Sequence, residues 1–211
     1  MEAFMIITKS GNILFEPTVY DKDTIHQAKL VISNFKDEPG ILYRITAVLF
    51  VHNWDILSAT IRTVDDKIED IFTIEPHNAD IIITKEILEK IESDLYKLLS
   101  NQIHISEYLA NYPEKTRKII NSMKPYPNTE VELEPIEDAK RLKIHFKTID
   151  RPGLLYLIAQ ILFFADLNIH EFFAATEDKF ANDTFIVEKK NQSEFNEINL
   201  KEIKELLKKF I

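Results

Sequence analysis

Two short segments bring a carboxylate, a proline and a glycine together: Asp37-Glu-Pro-Gly40 and Asp150-Arg-Pro-Gly153. Each runs straight into an apolar stretch. Each therefore reads as a helix start, with Asp as a capping acceptor and Pro in the first turn, where its missing N–H costs nothing. A helix start exposes N–H groups that suit an anion. The chain has only 3 glycines, and two of them sit in these turns, where they permit positive φ or close approach of another group. Other chemistry is hard to assemble. Of the six histidines (His26, His52, His77, His104, His145 and His170), no two lie at the spacing of a zinc or iron site, and no HExxH occurs. With no cysteine there is no disulfide, thiolate ligand or thiol nucleophile. No GxGxxG or P-loop is present. The acidic pairs Asp65-Asp66 and Glu69-Asp70 could serve acid–base catalysis, but a charged turn beside a strand explains them more simply. No metal and no cofactor is expected.

The bulk properties narrow the partners. A net charge of −9 argues against a nucleic-acid groove, which needs clustered cations. The run Lys115-Thr-Arg117-Lys118, with Lys124 beyond it, and the spaced Lys201, Lys204, Lys208 and Lys209 read as solvated helix faces. A hydrophobic fraction of 45% fits a folded globular chain. The start Met1-Glu-Ala-Phe lacks the character of a signal peptide, and no stretch approaches the roughly 18 apolar residues of a membrane span. A cytoplasmic protein that binds neither nucleic acid nor membrane is the expectation.

The two turns belong to a longer internal repeat. Asp37-Glu-Pro-Gly-Ile-Leu-Tyr43 recurs as Asp150-Arg-Pro-Gly-Leu-Leu-Tyr156 at an offset of 113. The same offset pairs Leu49-Phe50 with Leu162-Phe163, Ile56 with Ile169, and Thr63 with Thr176. It goes on to pair Asp70-x-Phe72 with Asp183-x-Phe185, and Glu75 with Glu188. A register kept through turns as well as apolar positions points to duplication.

In the second copy, Leu142–Lys147 alternates as a strand, and Leu154, Leu155, Ile158, Ile161 and Leu162 give a helix to about Ala165. A strand near Ile169–Thr176, a turn at Glu177-Asp-Lys179, a return strand over Ala181–Glu188 and an amphipathic helix over Asn199–Phe210 follow. The first copy repeats the order: a strand near Leu30–Phe35, a helix near Ile41–His52, a hairpin over Ile56–Glu75 and a helix over Thr84–Leu99. This is the split βαβ of ferredoxin-like domains without its last strand. Thr129–Pro135 and Asn12–Pro17 supply that strand from upstream, each ending in proline as a sheet edge tolerates. Met1–Ser10 reads as a further hairpin strand turning at Ser10-Gly-Asn12, and Ile103–Met123 as helix broken at Pro113. The expected fold is α+β. It has two ferredoxin-like domains, each an antiparallel sheet with helices on one face and the edge strand permuted to precede the core. The boundaries fall at 1–103, a helical linker at 104–128, and 129–211.

With these residues in place, the chain resembles the ACT domain family. It is most similar to the tandem ACT pair at the C-terminus of bacterial PII-uridylyltransferase and related ACT-repeat proteins. The resemblance rests on Asp150-Arg-Pro-Gly-Leu-Leu-Tyr156, Leu167-Asn-Ile-His170 and Asp183-x-Phe185-x-Val187, with Asp37-x-Pro-Gly-Ile-Leu-Tyr43 and Asp70-x-Phe72 in the first copy. It implies a non-catalytic regulatory module that binds a free amino acid and acts on a partner protein, with a protein partner or a homo-oligomer such as a dimer expected. Glutamine is the ligand first suggested. Carried over by position, the ligand-binding residues are Asp150, Gly153, Leu154 and Asn168, with His170 two residues further along the same strand. Asp37, Gly40, Ile41 and Asp55 are the first-copy equivalents, and Asp55 departs from the usual asparagine. Helix capping for the two turn aspartates, a plain turn role for Asn168 and an inert strand position for His170 remain open. The alternative function is a ligand-independent interaction or dimerisation module. Phe172-Phe173 reads as core or sheet-interface packing rather than a ligand face.

Overall fold

Alternating burial turns both halves into sheets, and the computed structural model describes residues 6–7, 12–21, 24–78, 83–177 and 179–211. The strands of the first half are β1 (Ile6–Ile7), β2 (Ile13–Asp21) and β3 (Thr24–Lys36). Helix α1 (Ile41–Val51) follows, then β4 (Trp54–Ile61), the short β5 (Thr63–Val64), β6 (Lys67–Pro76) and α2 (Lys85–Leu99). Two short helices, α3 (Ile105–Ala110) and α4 (Pro113–Ser122), connect the halves. Pro113 opens α4 at its first position, where proline is tolerated. The second half is β7 (Glu130–Ile136), β8 (Arg141–Ile149), α5 (Leu154–Phe164), β9 (Leu167–Glu177), β10 (Phe180–Lys189) and α6 (Glu197–Phe210). A capping box between Asn196 and Asn199 starts α6. The expected turn at Ser10-Gly11 lies outside the described residues.

The strands run β2-β3-β6-β4 in the first unit and β7-β8-β10-β9 in the second, all antiparallel. This is the ferredoxin-like order with its outer strand supplied from upstream. Each unit packs its helices on one face, so the fold is α+β, with two ferredoxin-like units.

Strands β4 and β9 then pair with each other, which joins the two units into one ten-stranded sheet. At this seam Ser58 faces Ala175, Ala59 faces Ala174, Thr60 faces Phe173 and Ile61 faces Phe172. Thr60 and Phe173 are counterparts under the offset of 113. A local twofold axis therefore passes through that pair, and the Ala59–Ala174 and Ile61–Phe172 pairings are exchanged about it. Phe172 is fully buried there, against Phe185 at 4.4 Å between ring centroids. Burial of that size is worth about 1.5–3 kcal/mol. Phe173 points away and is half exposed.

On the helical face the same axis relates α1 and α5. Both are apolar nearly all round, as helices covered on several sides must be. Their aromatic residues form a run across the axis. Phe50 stacks on Tyr156 at 5.3 Å, Tyr156 on Tyr43 at 5.6 Å, and Tyr43 meets Phe163 at 5.6 Å. Such pairs contribute about 0.5–1.5 kcal/mol each beyond their burial.

The helix starts differ from the sequence expectation. Both helices begin at the residue after the glycine, and Gly40 and Gly153 are the N-caps, at φ 89° and 78°. No side chain caps either helix, so Asp37 and Asp150 are not caps and the prolines stand outside the first turn. The aspartates instead anchor the turn to its own hairpin. The Asp37 amide donates to the Asp66 carbonyl, and the Asp150 amide to the Lys179 carbonyl. Thr63 Oγ1 donates to Asp37 Oδ2 at 2.7 Å.

Positive φ is one reason for glycine here; the neighbouring unit is the other. A Cβ at Gly40 would lie 2.7 Å from the Phe163 ring, and one at Gly153 would lie 2.7 Å from the Phe50 ring. Phe50 and Phe163 are themselves counterparts, so each unit seats its phenylalanine on the other's glycine. Gly153→Ala should destabilise the chain by about 1–3 kcal/mol through the positive φ alone, with the ring contact adding to it. In urea unfolding, combining it with Phe50→Ala should cost less than the sum of the two single changes, by about 0.5–3 kcal/mol. Strict additivity would contradict the contact.

Candidate functional site

Each Asp-x-Pro-Gly turn faces a cleft, and the two clefts are unequal. The one at Asp150–Gly153 holds about 330 Å³, whereas the one at Asp37–Gly40 holds about 20 Å³, room for about one water.

The composition of the clefts reverses one expected grouping. The Asp150–Gly153 turn, with Leu154, faces Asp55 on β4 of the first unit; the Asp37–Gly40 turn, with Ile41, faces Asn168 on β9 of the second. Position matching within a copy had grouped Asp150 with Asn168 and Asp37 with Asp55. The seam explains the correction. Pairing β4 with β9 about the twofold axis carries the start of each of these strands past the other unit's helix. His170 belongs to neither cleft. Its Nε2 lies 2.8 Å from Glu188 Oε1 across the β9–β10 pair.

A two-residue difference explains the volumes. Behind the Asp150 turn the strands present Ala174 and Ala181. Their counterparts behind the Asp37 turn are Ile61 and Ile68, both buried, and they fill the space. Below these positions lie the repeated aspartates, Asp183 in the open cleft and Asp70 in the closed one. Both are buried on the core side of their strands.

The open cleft combines several chemistries. The first-turn amides of Leu155 and Tyr156 have no intrahelical acceptor, since the first such bond runs from the Leu157 amide to the Gly153 carbonyl at 2.9 Å. Opposite them, Asp55 Oδ2 pairs with His77 Nδ1 at 2.8 Å, and the neighbouring Glu75 carboxyl is raised by burial and by the Asp55 charge. The Tyr156 phenol is raised by burial and then by Tyr43, and its oxygen is buried without a partner at ordinary hydrogen-bond distance. Helix α4 closes one side. An annex of about 150 Å³ shares Asp55, His77 and Pro152 with the cleft and adds Lys115, Lys118 and Ile119. Lys115 donates to Asn53 Oδ1 and lies over the Phe50 ring, and burial, then the Lys118 charge, lowers its pKa.

Sequence reasoning missed His77, Glu75, Asp183 and the α4 lysines as cleft residues. One signal was available: an aspartate inside Asp-x-Phe on the apolar phase of an alternating strand is a buried carboxyl. Among the described residues, no group of three or more potential metal-ligating side chains converges.

Comparison with known proteins adds little to this geometry. No family model and no curated protein matches the chain. Among solved structures, the crystal structure of aspartate kinase from Synechocystis is similar over 87% of this chain and 26% of that one, at 14% identity and a TM-score of 0.43. The chain thus spans about a quarter of the length of that kinase. The likeness is too slight to assign the fold, which rests on strand order and register.

Asp70 has a measurable signature. Burial pushes its carboxyl up to about 8; the Arg62 amide draws it back in part, and the Asp37 charge raises it further. Neither oxygen finds a partner at ordinary hydrogen-bond distance. The folded state holds this proton more tightly than the unfolded state does. Its contribution therefore falls as pH rises from about 4 to 8, with a limiting slope of about 1.4 kcal/mol per pH unit. Asp70→Asn should remove that slope, so that the variant gains on the wild type as pH rises through this window. Parallel denaturation curves at pH 4 and pH 8 for both proteins would contradict it.

Proposed function

We propose that the chain is a non-catalytic regulatory protein that binds a free amino acid in the Asp150–Gly153 cleft and passes that state to a partner protein. The observation that carries this reading is the open cleft itself. It sets the free first-turn amides of α5 opposite the Asp55 carboxylate. An α-carboxylate suits the amides at the positive end of the helix dipole, and an α-ammonium suits Asp55. Its volume of about 330 Å³ sits at the low end of the roughly 300–1,000 Å³ of small-molecule sites. Gly153 and Leu154 shape the carboxylate end, and Asp150 holds the turn against its hairpin.

The charge of the cleft selects among amino acids. Asp55, Glu75, Asp150 and Asp183 line it against one guanidinium, Arg151, so a second carboxylate on the ligand would meet net repulsion. A neutral or basic side chain is favoured, and glutamine is the first to test. Helix α4, with Lys115 in the annex and Ile119 beside Gly153, offers the route to a partner.

A second reading holds for the other copy. Ile61 and Ile68 leave no room for a ligand beside Asp37, Gly40, Ile41 and Asn168, which favours a purely structural role there. That copy then serves to pair the units, as an interaction module would.

Calorimetric titration with the common amino acids tests both readings. Binding by one or a few neutral or basic amino acids is expected, with one site per chain. Ala181→Ile, which copies the closed cleft, should weaken binding at least tenfold while leaving the unfolding transition in place. Silence from every amino acid with intact wild-type protein would sink the proposal.

A further inference from the structure

A further cavity lies beside Gly40 at the end of the Asp37 turn, apart from the Asp150–Gly153 cleft. It is a groove of about 790 Å³ walled by α1, the end of α2, α3, α4 and the end of α5. Its floor and rim are apolar, with Ile103, Ile105, Leu109, Ile120 and Phe164 prominent. Phe164 is 70% exposed and Ile120 56% exposed, although each could have been polar at no cost to the core. Exposed side chains of this size beside a concave apolar surface mark a binding site more often than a bare helix face.

The charges around the groove are one-sided. The chain carries 35 aspartates and glutamates, yet none lines this groove; its charged lining residues are Arg44 and Arg117, with His104 near them. Arg44 is already committed. It lies 3.5 Å from Glu38, and it donates to Asn101 Oδ1 at 2.8 Å and to the Leu98 carbonyl at 3.2 Å. Asn101 in turn holds Glu38, whose carboxyl is lowered by that bond first and by Arg44. Arg117 forms no hydrogen bond or ion pair among the described residues, and it is exposed at the groove's edge.

We infer that this groove binds an apolar monocarboxylate, an acyl or aryl acid whose hydrocarbon lies on Ile105, Leu109 and Phe164 and whose carboxylate pairs with Arg117. A guanidinium presents two parallel donors that match a carboxylate. The volume falls within the roughly 300–1,000 Å³ of small-molecule sites, and five elements wall it. A single uncommitted cation answers a single-headed ligand better than an acidic helix, which would bring several charges. The inference rests on no part of the amino-acid reading, because the groove shares neither Asp55 nor the Asp150 turn with the cleft.

Titration of the full chain with decanoate and with decanol, followed by calorimetry, tests it. Saturable binding of decanoate at one site per chain is expected, with decanol at least tenfold weaker. Arg117→Gln should weaken decanoate at least tenfold and bring it level with decanol, without changing amino-acid binding at the cleft. Ala110→Trp, placed to fill the groove from an exposed position on α3, should weaken both probes. Three results would overturn the assignment. They are no saturable binding by folded wild-type protein, equal decanoate affinity in the wild type and Arg117→Gln, or light scattering that reports a dimer which Phe164→Ser converts to monomer. The last would give the groove to a second copy of the chain.

Discussion

The reciprocal seating of Phe50 on Gly153 and Phe163 on Gly40 is the constraint from which the rest of the arrangement follows. It fixes the distance and rotation between α1 and α5, because a ring resting on a Cα leaves almost no freedom in either. With the helices so placed, the strands beneath them are brought within pairing distance, and β4 and β9 zip about the Thr60–Phe173 pair. The aromatic run from Phe50 through Tyr156 and Tyr43 to Phe163 occupies the space between helices. Glycine at the start of each helix thus does two things at once. It allows positive φ, and it leaves bare backbone for the neighbouring ring.

That packing also decides where a ligand could sit. A helix start beside its own sheet is half a site; the opposing strand of the other unit supplies the remainder. The twofold axis makes two such places, and side-chain volume makes them different. Alanines at 174 and 181 leave a cleft, whereas isoleucines at 61 and 68 close its twin. The closed twin retains a buried, proton-holding Asp70 and no room for a ligand. The repeat is thus symmetric in its backbone and asymmetric in its clefts.

Helices α3 and α4 connect the two units and wall cavities on two sides. They cover one side of the open cleft with Lys115 and Ile119, and they build the apolar groove on their other side with Ile120 and Arg117. One short helix therefore touches two cavities of opposite character, one acid-lined and one acid-free. A shift of α4 in response to an occupant of either would be felt at the other.

Much of this was legible in the residues. The duplication, the α+β class, the order of elements and the upstream edge strands followed from periodicity and from a register kept at an offset of 113. These features are local, or repeat local features, and a chain carries them in its own order. The helix starts were misplaced by the length of the turn, because Asp and Pro are common capping residues and nothing local shows that Gly is the cap. The partner of each turn could not be read at all. Comparing a copy with itself always groups Asp150 with Asn168, whereas pairing strands between copies exchanges them. The unequal clefts lay in the sequence as Ala174 and Ala181 against Ile61 and Ile68, but these acquire meaning only once it is known what they face. The sequence by itself determined the unit and its repetition; the tertiary structure decided which surfaces met, since contacts between units depend on relative orientation, which no local pattern encodes.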